Sequence, residues 1–123
     1  MSRPGYPRLR LRVVFGPDAM IGPGKADLLE LIRDTGSISA AGRAMGMSYK
    51  RAWMLVETMN AAFREPVVDS TRGGTGGGGA RLTGTGEAVL AHFRAIEDRL
   101  AHEAAPEVQA IADLLKPVPD PAS

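Results

Sequence analysis

The sequence contains no cysteine, which excludes disulfide bridges and thiolate metal sites. Its 123 residues include only three Phe, two Tyr and one Trp, so a hydrophobic core built from this chain rests on Leu, Ile, Val, Met and Ala. The rest of the composition, 44% hydrophobic and 24% charged, is that of an ordinary folded protein. At this length we expect one ordinary domain rather than two large ones.

Long apolar runs are also missing. No stretch approaches the roughly 18 apolar residues of a membrane span. The N-terminus, MSRPGYPRLRLRVVF, contains arginine but lacks the apolar block and cleavage motif of a signal peptide. We therefore expect a cytoplasmic protein with no membrane partner.

The net charge of +1 conceals an asymmetry along the chain. Residues 1–81 carry 12 Lys and Arg against 7 Asp and Glu, whereas residues 82–123 carry 3 against 7. A polyanion is attracted to the first part, and the acidic second part is expected to face elsewhere. Two ordinary solvated surfaces are the alternative explanation of the same counts.

Hydrophobic periodicity predicts a mainly helical chain with few strands. Residues 9–15, LRLRVVF, alternate and then become apolar, which predicts a strand. The Gly- and Pro-containing segment 16–24 is predicted to be a loop. Residues 25–34, KADLLELIRD, carry apolar side chains near one helical face, and Gly36 is expected to end that helix.

The most informative stretch is residues 35–60, TGSISAAGRAMGMSYKRAWMLVETMN. It predicts a short helix to Met45, a sharp turn permitted by Gly46, and a third helix that Ser48 caps. A recognition helix buries one face and presents the start of its other face to DNA base edges. Lys and Arg at that start can read guanine acceptors. The residues concerned are Ser48, Tyr49, Lys50 and Arg51. A helical hairpin with solvated charges is the alternative.

A glycine-rich loop follows the third helix. Residues 67–71 and 80–82 are predicted to pair as short strands, and RGGTGGGG, residues 72–79, joins them as the tip of a wing. The residues assigned to DNA contacts here are Arg72, Thr75 and Arg81. A nucleotide-binding phosphate loop is not supported, because no Lys followed by Ser or Thr completes the motif. A plain flexible hairpin loop is the alternative.

The last long helix is predicted to begin at Thr83. An apolar stripe recurs along it at spacings of four, three and four, formed by Val89, Phe93, Ile96 and Leu100. The helix is long for a domain of this size, and an apolar stripe that extends beyond the folded domain often forms a dimer interface. We therefore predict a homodimer through these four residues. Coverage of the monomer core alone is the alternative. Pro106 is expected to break or restart the helix.

Catalytic and metal-binding patterns are absent from the sequence. His92 and His102 lie ten residues apart, a spacing that does not place them on one helical face as a metal pair. No Ser–His–Asp set or convergent carboxylate pair stands out. We expect neither an enzyme nor a cofactor.

The motifs SISAAGRAMGMSYKRAW, MN and GGTGGGGARLT resemble the N-terminal DNA-binding domain of the ModE family of bacterial molybdate-responsive regulators. The similarity covers about residues 9–115. It implies a LysR-type winged helix-turn-helix, a dimer through the long helix, major-groove contacts from residues 48–51 and backbone contacts from residues 72–81. Full-length members continue into molybdate-binding domains. This chain resembles the short, stand-alone members, so direct molybdate binding is not expected.

Together these features predict a mainly α winged helix-turn-helix with a small β wing and a long C-terminal dimerisation helix. Residues 1–83 are assigned to the DNA-binding domain with its N-terminal strand, 84–116 to dimerisation and 117–123 to a disordered tail. The expected function is transcription regulation from a pseudo-palindromic double-stranded DNA site, in connection with molybdenum genes. The alternatives are a small-molecule or metal-binding protein without DNA binding, and a protein-interaction module that uses the helix 87–115.

Overall fold

The computed structural model describes residues 6–71 and 79–117. Helices dominate these ranges, and the strands form two antiparallel pairs. In chain order the elements are β1 (Val13–Gly16), β2 (Ala19–Ile21), α1 (Pro23–Thr35), α2 (Ile38–Ala44), α3 (Tyr49–Ala62), β3 (Val68–Thr71), β4 (Gly79–Leu82), α4 (Gly84–Glu103) and α5 (Ala105–Ala112). The predicted mainly helical fold with a small β component is confirmed at this level.

The chain begins with a short hairpin in which Val13 pairs with Ile21. The predicted strand 9–15 therefore starts later than expected. The predicted loop 16–24 was wrong, because it contains β2 and the first residues of α1. Pro23 lies in the first turn of α1, where a missing backbone N–H removes no helical hydrogen bond and the fixed φ suits the helix. Proline here starts a helix instead of extending a loop.

Helices α1, α2 and α3 pack one on the next. The first ends as predicted at Gly36, whose φ of 71° is the left-handed conformation that glycine adopts without strain. Its N–H donates to the Ile32 carbonyl at 2.8 Å, which satisfies one of the last carbonyls of α1. The chain then turns directly into α2, so three helices follow one another with short connections.

The second strand pair, β3 and β4, runs in register from Val68 opposite Leu82 to Thr71 opposite Gly79. These strands agree with the two predicted after the third helix. Residues 72–78, which join them, lie outside the described part of the chain.

A 20-residue helix, α4, follows the strand pair. The Thr83 hydroxyl accepts a hydrogen bond from the Gly86 N–H at 3.0 Å, so Thr83 caps the helix as predicted. Glu87 lies in the first turn, where a negative charge is favourable. Helix α4 ends at Glu103, with Ala104 as its C-cap, and α5 follows with Pro106 in its first turn, as expected.

One hydrophobic core joins the helices to the β3–β4 pair. Leu90 and Phe93 of α4 belong to it, and the first half of α4 is therefore packed against the same core as the preceding helices. The buried apolar residues of this core are Ile21, Ala26, Leu28, Leu29, Ile32, Ile38, Ala41, Ala52, Val56, Met59, Val67, Val68, Ala80, Leu82, Leu90 and Phe93.

Candidate nucleic-acid interface

The turn between α2 and α3 brings the two helices into close contact. Gly46 has a φ of 71°, as a turn of this sharpness requires. Gly42 is buried where the helices cross, and a Cβ at this position would lie 2.9 Å from the Cβ of Ala52. The Met47 N–H donates to the Gly42 carbonyl at 2.9 Å and fixes the turn. The predicted role of Gly46 in the turn is confirmed.

The first turn of α3 presents polar and basic side chains to solvent. The Ser48 hydroxyl accepts a hydrogen bond from the Arg51 N–H at 3.1 Å and caps the helix. Tyr49, Lys50 and Arg51 are exposed, and no acidic residue lies in this turn. The positive end of the helix dipole adds to the two side-chain charges, so the start of α3 is suited to an anion.

The two faces of α3 differ in character. Ala52, Val56 and Met59 are buried against the core. Lys50 and Met54 point the other way, because they are four residues apart and lie opposite the buried residues on a helix of 3.6 residues per turn. A protruding, capped helix with this arrangement has the shape that major-groove recognition requires.

Two large apolar side chains on α3 extend the exposed surface beyond the predicted residues. Trp53 is 39% exposed, so it retains a contact surface instead of lying in the core. Met54 is 53% exposed. Met54 has no predicted role, although its position four residues after Lys50 and opposite the apolar stripe was sufficient to find it.

Of the three DNA contacts predicted in the wing, one lies within the described residues. Arg81 is exposed on β4, directly opposite Asp69 on β3. Directly opposed residues of an antiparallel pair project from the same face, so the Asp69 carboxylate reduces the local positive potential. The other two predicted wing contacts, Arg72 and Thr75, lie outside the described residues.

The wing is held against α3 by Asn60, a residue with no predicted role. Its side-chain oxygen accepts from the N–H groups of Val67 and Val68 at 2.8 and 3.1 Å. Its amide nitrogen donates to the Val68 carbonyl at 3.2 Å. Asn60 thereby satisfies three backbone hydrogen-bonding groups at the start of β3 and sets the position of the wing relative to α3.

A second set of contacts joins the wing to the remaining helices. The Ala80 N–H donates to the Gly36 carbonyl at 2.9 Å, which connects β4 to the turn between α1 and α2. The Thr83 hydroxyl donates to the Pro66 carbonyl at 2.6 Å. Gly86 lies directly against the Val67 carbonyl, with no space for a Cβ. The base of the wing is therefore fixed from both sides.

Sequence comparison places this helix-turn-helix and wing among known proteins. The chain is similar to the molybdenum-pterin-binding protein MopB of Rhodobacter capsulatus, with 48% identity over 83 residues, or 68% of this chain and 31% of that protein. It is similar to the molybdenum transport protein ModE of Azotobacter vinelandii, with 40% identity over 84 residues, or 65% and 31% of the two chains.

The DNA-binding transcriptional dual regulator ModE of Escherichia coli is 40% identical over 68 residues, 55% of this chain and 26% of that protein. Over the matched stretch the chain is ModE-like in sequence. It spans about a third of the length of the curated relatives it matches. No protein-family model matches the chain.

In this ModE-like chain, Arg94 joins α4 to α1. Its guanidinium donates to Asp27 at 2.8 Å and to Glu97 at 2.9 Å, and it lies 3.4 Å from Glu30. Partial burial lowers the pKa of Arg94, but the hydrogen bonds to Asp27 and Glu97 and the charges of Glu97 and Glu30 together raise it by more, so the net pKa lies above its ordinary value. Arg94 is thus neutralised locally and is not available to DNA.

The predicted dimer stripe on α4 is divided between the core and the surface. Phe93 is 1% exposed within the single chain, so it has almost no surface for a second copy, and its assignment to a dimer seam is corrected. Val89 is half-buried against the core. The physical reason is that α4 packs directly on α1 over its first half. Ile96 and Leu100 remain exposed.

Further exposed apolar side chains lie in α5 and in the residues after it. Ile111, Leu114 and Leu115 are all well exposed, and Leu114 is 87% exposed. Three large exposed apolar side chains within five residues, in contrast to a single exposed leucine, suit this end of the described chain to burial by a partner.

The described residues of this ModE-like chain contain no group of three or more His, Cys, Asp or Glu side chains arranged to hold a metal. Residues 6–71 and 79–117 also include no helix that is long and apolar enough to cross a membrane. An open groove lies between the β1–β2 turn and the end of α3, but no basic side chain lines it; the lining residues are Gly16, Pro17, Asp18, Ala19, Thr58, Ala61 and Ala62. This groove offers no charge complement to an oxyanion.

Proposed function

We propose that this chain is a bacterial, cytoplasmic transcription regulator that binds double-stranded DNA through α3. The observation that carries the proposal is the capped start of α3, where Tyr49, Lys50 and Arg51 are exposed after the turn at Gly46. A two-stranded wing follows α3 in the chain. A major groove admits one helix whose first residues reach base edges. The relatives named as DNA-binding and transcriptional regulators support the same role.

The charges at this surface favour phosphate and guanine contacts. Within the described ranges, no acidic side chain forms a salt bridge with Lys50 or Arg51. Arg43 on α2 and Arg64 after α3 are exposed as well. Free cations of this kind neutralise phosphates and release condensed counterions, which makes DNA binding strongly salt-dependent. Arg81 and the predicted wing residues Arg72 and Thr75 add backbone contacts in this proposal.

We further propose that the chain acts as a homodimer on a pseudo-palindromic site. The supporting feature is the exposed apolar surface on α4, α5 and the residues after them, formed by Ile96, Leu100, Ile111, Leu114 and Leu115. Two copies that bury it against each other remove several large apolar side chains from water. A two-fold axis then fixes the spacing of two recognition helices, and the DNA site acquires the same symmetry.

The link to molybdenum rests on the relatives. Their printed names connect them to molybdenum transport and to molybdenum-pterin binding. We propose that this chain regulates genes of molybdenum metabolism and that the residues described here do not bind molybdate. Relatives named as regulators and binding proteins also support a non-enzymatic role.

A second candidate is binding of a molybdenum-containing small molecule without DNA binding. Two relatives named as molybdenum-pterin-binding proteins favour it. The matched stretch is about a third of those proteins, and the open groove described above lacks cationic residues. Isothermal titration with molybdate separates the candidates. Micromolar or tighter binding together with no affinity for DNA would support the second.

The proposed function is tested by selecting binding sites from random duplex DNA with the full chain. Lys50→Ala and Arg51→Ala variants are then titrated against the selected site in gel-shift assays. Each variant is expected to bind about 5- to 150-fold more weakly, the loss expected of a base-reading contact. Arg99→Ala, which removes an equal charge from α4 outside the helix-turn-helix and the wing, is the control. Equal affinity of all four proteins would contradict the assignment of α3.

A further inference from the structure

An exposed apolar cluster accompanies the basic start of α3. Tyr49 is 57% exposed, and Trp53 and Met54 follow within five residues on the same helix. Single exposed apolar side chains are common on protein surfaces. Three large ones within the first six residues of α3 are more than a single scattered side chain. The charged rim of this cluster, Lys50 and Arg51, favours an anionic partner.

Met54 is the member of this cluster that lies opposite the buried residues of α3. It lies one helical turn beyond Lys50 on the outward face, so the two Cβ atoms are about 5–6 Å apart. That separation corresponds to between one and two base-pair steps of about 3.4 Å. A helix that places the Lys50 ammonium at a guanine edge therefore places the Met54 side chain at the floor of the groove within about two base pairs.

The thioether side chain of Met54 is suited to only one kind of group on the floor of the major groove. A thioether donates no hydrogen bond and accepts them only weakly, so it cannot read the polar edges of the bases. The thymine C5-methyl group is the apolar feature that the major groove displays. The unbranched methionine side chain adapts its shape to such a group more readily than a branched one.

We infer that Met54 is a specificity-determining residue that contacts the methyl group of a thymine, within about two base pairs of the base contacted by Lys50. This inference rests on the proposed function. It adds to it the identity of a base and the group on that base that is recognised.

The test removes only the methyl group from the DNA. In the site selected from random duplexes, each thymine is replaced singly by deoxyuridine, and affinity is measured at constant salt. At one thymine in each half-site the wild-type chain is expected to bind about fourfold more weakly, the effect of losing one buried methyl group. Met54→Ala is expected to bind the thymine and uracil sites equally at that position.

A conservative variant separates recognition from helix stability. Met54→Leu keeps an apolar side chain of similar size and is expected to retain the sensitivity to the methyl group, whereas Met54→Gln is expected to lose it. Far-ultraviolet circular dichroism checks that each variant keeps its helical content. Because Met54 is exposed, these substitutions are not expected to unfold the protein.

The outcomes distinguish this inference from the proposed function. If the wild-type chain selects a site but shows no sensitivity to uracil at any thymine, the role of Met54 is overturned while DNA binding stands. Equal uracil sensitivity of Met54→Ala and wild type also overturns it. If the wild-type chain selects no duplex at all, both proposals fail, and the exposed cluster belongs to a protein interface instead.

Discussion

Replacing Asn60 by alanine tests whether a single amide positions the wing. The substitution removes three hydrogen bonds at once: two accepted from Val67 and Val68 and one donated to Val68. Both valines are buried, so water does not readily replace the lost partners. The alanine variant therefore leaves two N–H groups and one carbonyl in the interior without a protein partner.

The size of the effect follows from these groups. A buried donor or acceptor left unsatisfied costs about 1–3 kcal/mol. Partial entry of water into the space left by the amide reduces the total, so we expect Asn60→Ala to lower the free energy of unfolding by about 2–5 kcal/mol. This is a large part of the roughly 5–15 kcal/mol typical of a folded domain. Asn60→Asp keeps both acceptor contacts and should lose about 1–3 kcal/mol.

Equilibrium urea denaturation followed by circular dichroism measures these differences. Thr58→Ala is the matched control, because Thr58 lies on the same helix and its hydroxyl bonds only to the Met54 carbonyl at an exposed position. It is expected to change the unfolding free energy by no more than about 0.5 kcal/mol. A loss below about 1 kcal/mol for Asn60→Ala, similar to the control, would refute the argument that this amide holds the wing.

Three further predictions concern packing, assembly and the wing. Gly42→Ala should lower the unfolding free energy by about 1–3 kcal/mol, because the new methyl group meets the Ala52 Cβ at 2.9 Å; an unchanged thermal midpoint would show that the helices separate freely. Phe93→Asp should unfold the chain, since it buries a charge in the core, whereas Leu100→Asp should give a folded monomer in analytical ultracentrifugation. A folded Phe93→Asp protein would contradict the assignment of Phe93 to the core. A dimeric Leu100→Asp protein would contradict the assignment of Leu100 to the dimer interface. Arg81→Ala should reduce the salt slope of DNA binding by about 1 if Arg81 contacts one phosphate, and an identical slope would remove it from the interface.

Local sequence signals were sufficient for the helix-turn-helix. Ser48 and Thr83 are cap residues by type and position, and Gly36 and Gly46 mark left-handed turns, so each could be assigned from one residue and its neighbours. The hairpin β1–β2 was missed because β2 is only three residues long and lies between Pro17 and Gly22, both typical of loops. The start of α1 was placed too late because Pro23 occurs both in loops and in the first turn of a helix. Only packing decides between them.

The errors at the candidate site arise from tertiary contacts. The periodicity of α4 identified an apolar stripe but not which residues α1 covers, so Phe93 was assigned to a dimer seam when it lies in the core. Asn60 was missed because its partners, Val67 and Val68, follow a change of direction that the sequence does not specify. Helical periodicity alone was sufficient to place Met54 on the exposed face of α3, since it lies opposite Val56 and Ala52.

A fluorescence anisotropy titration of the wild-type chain against its selected duplex and a scrambled duplex, at one salt concentration, tests the central claim most directly. If α3 reads a two-fold DNA site, the selected duplex should bind about a thousandfold or more tightly than the scrambled one, with two chains per duplex at saturation. Equal affinity for the two duplexes, or saturation at one chain per duplex, would contradict it.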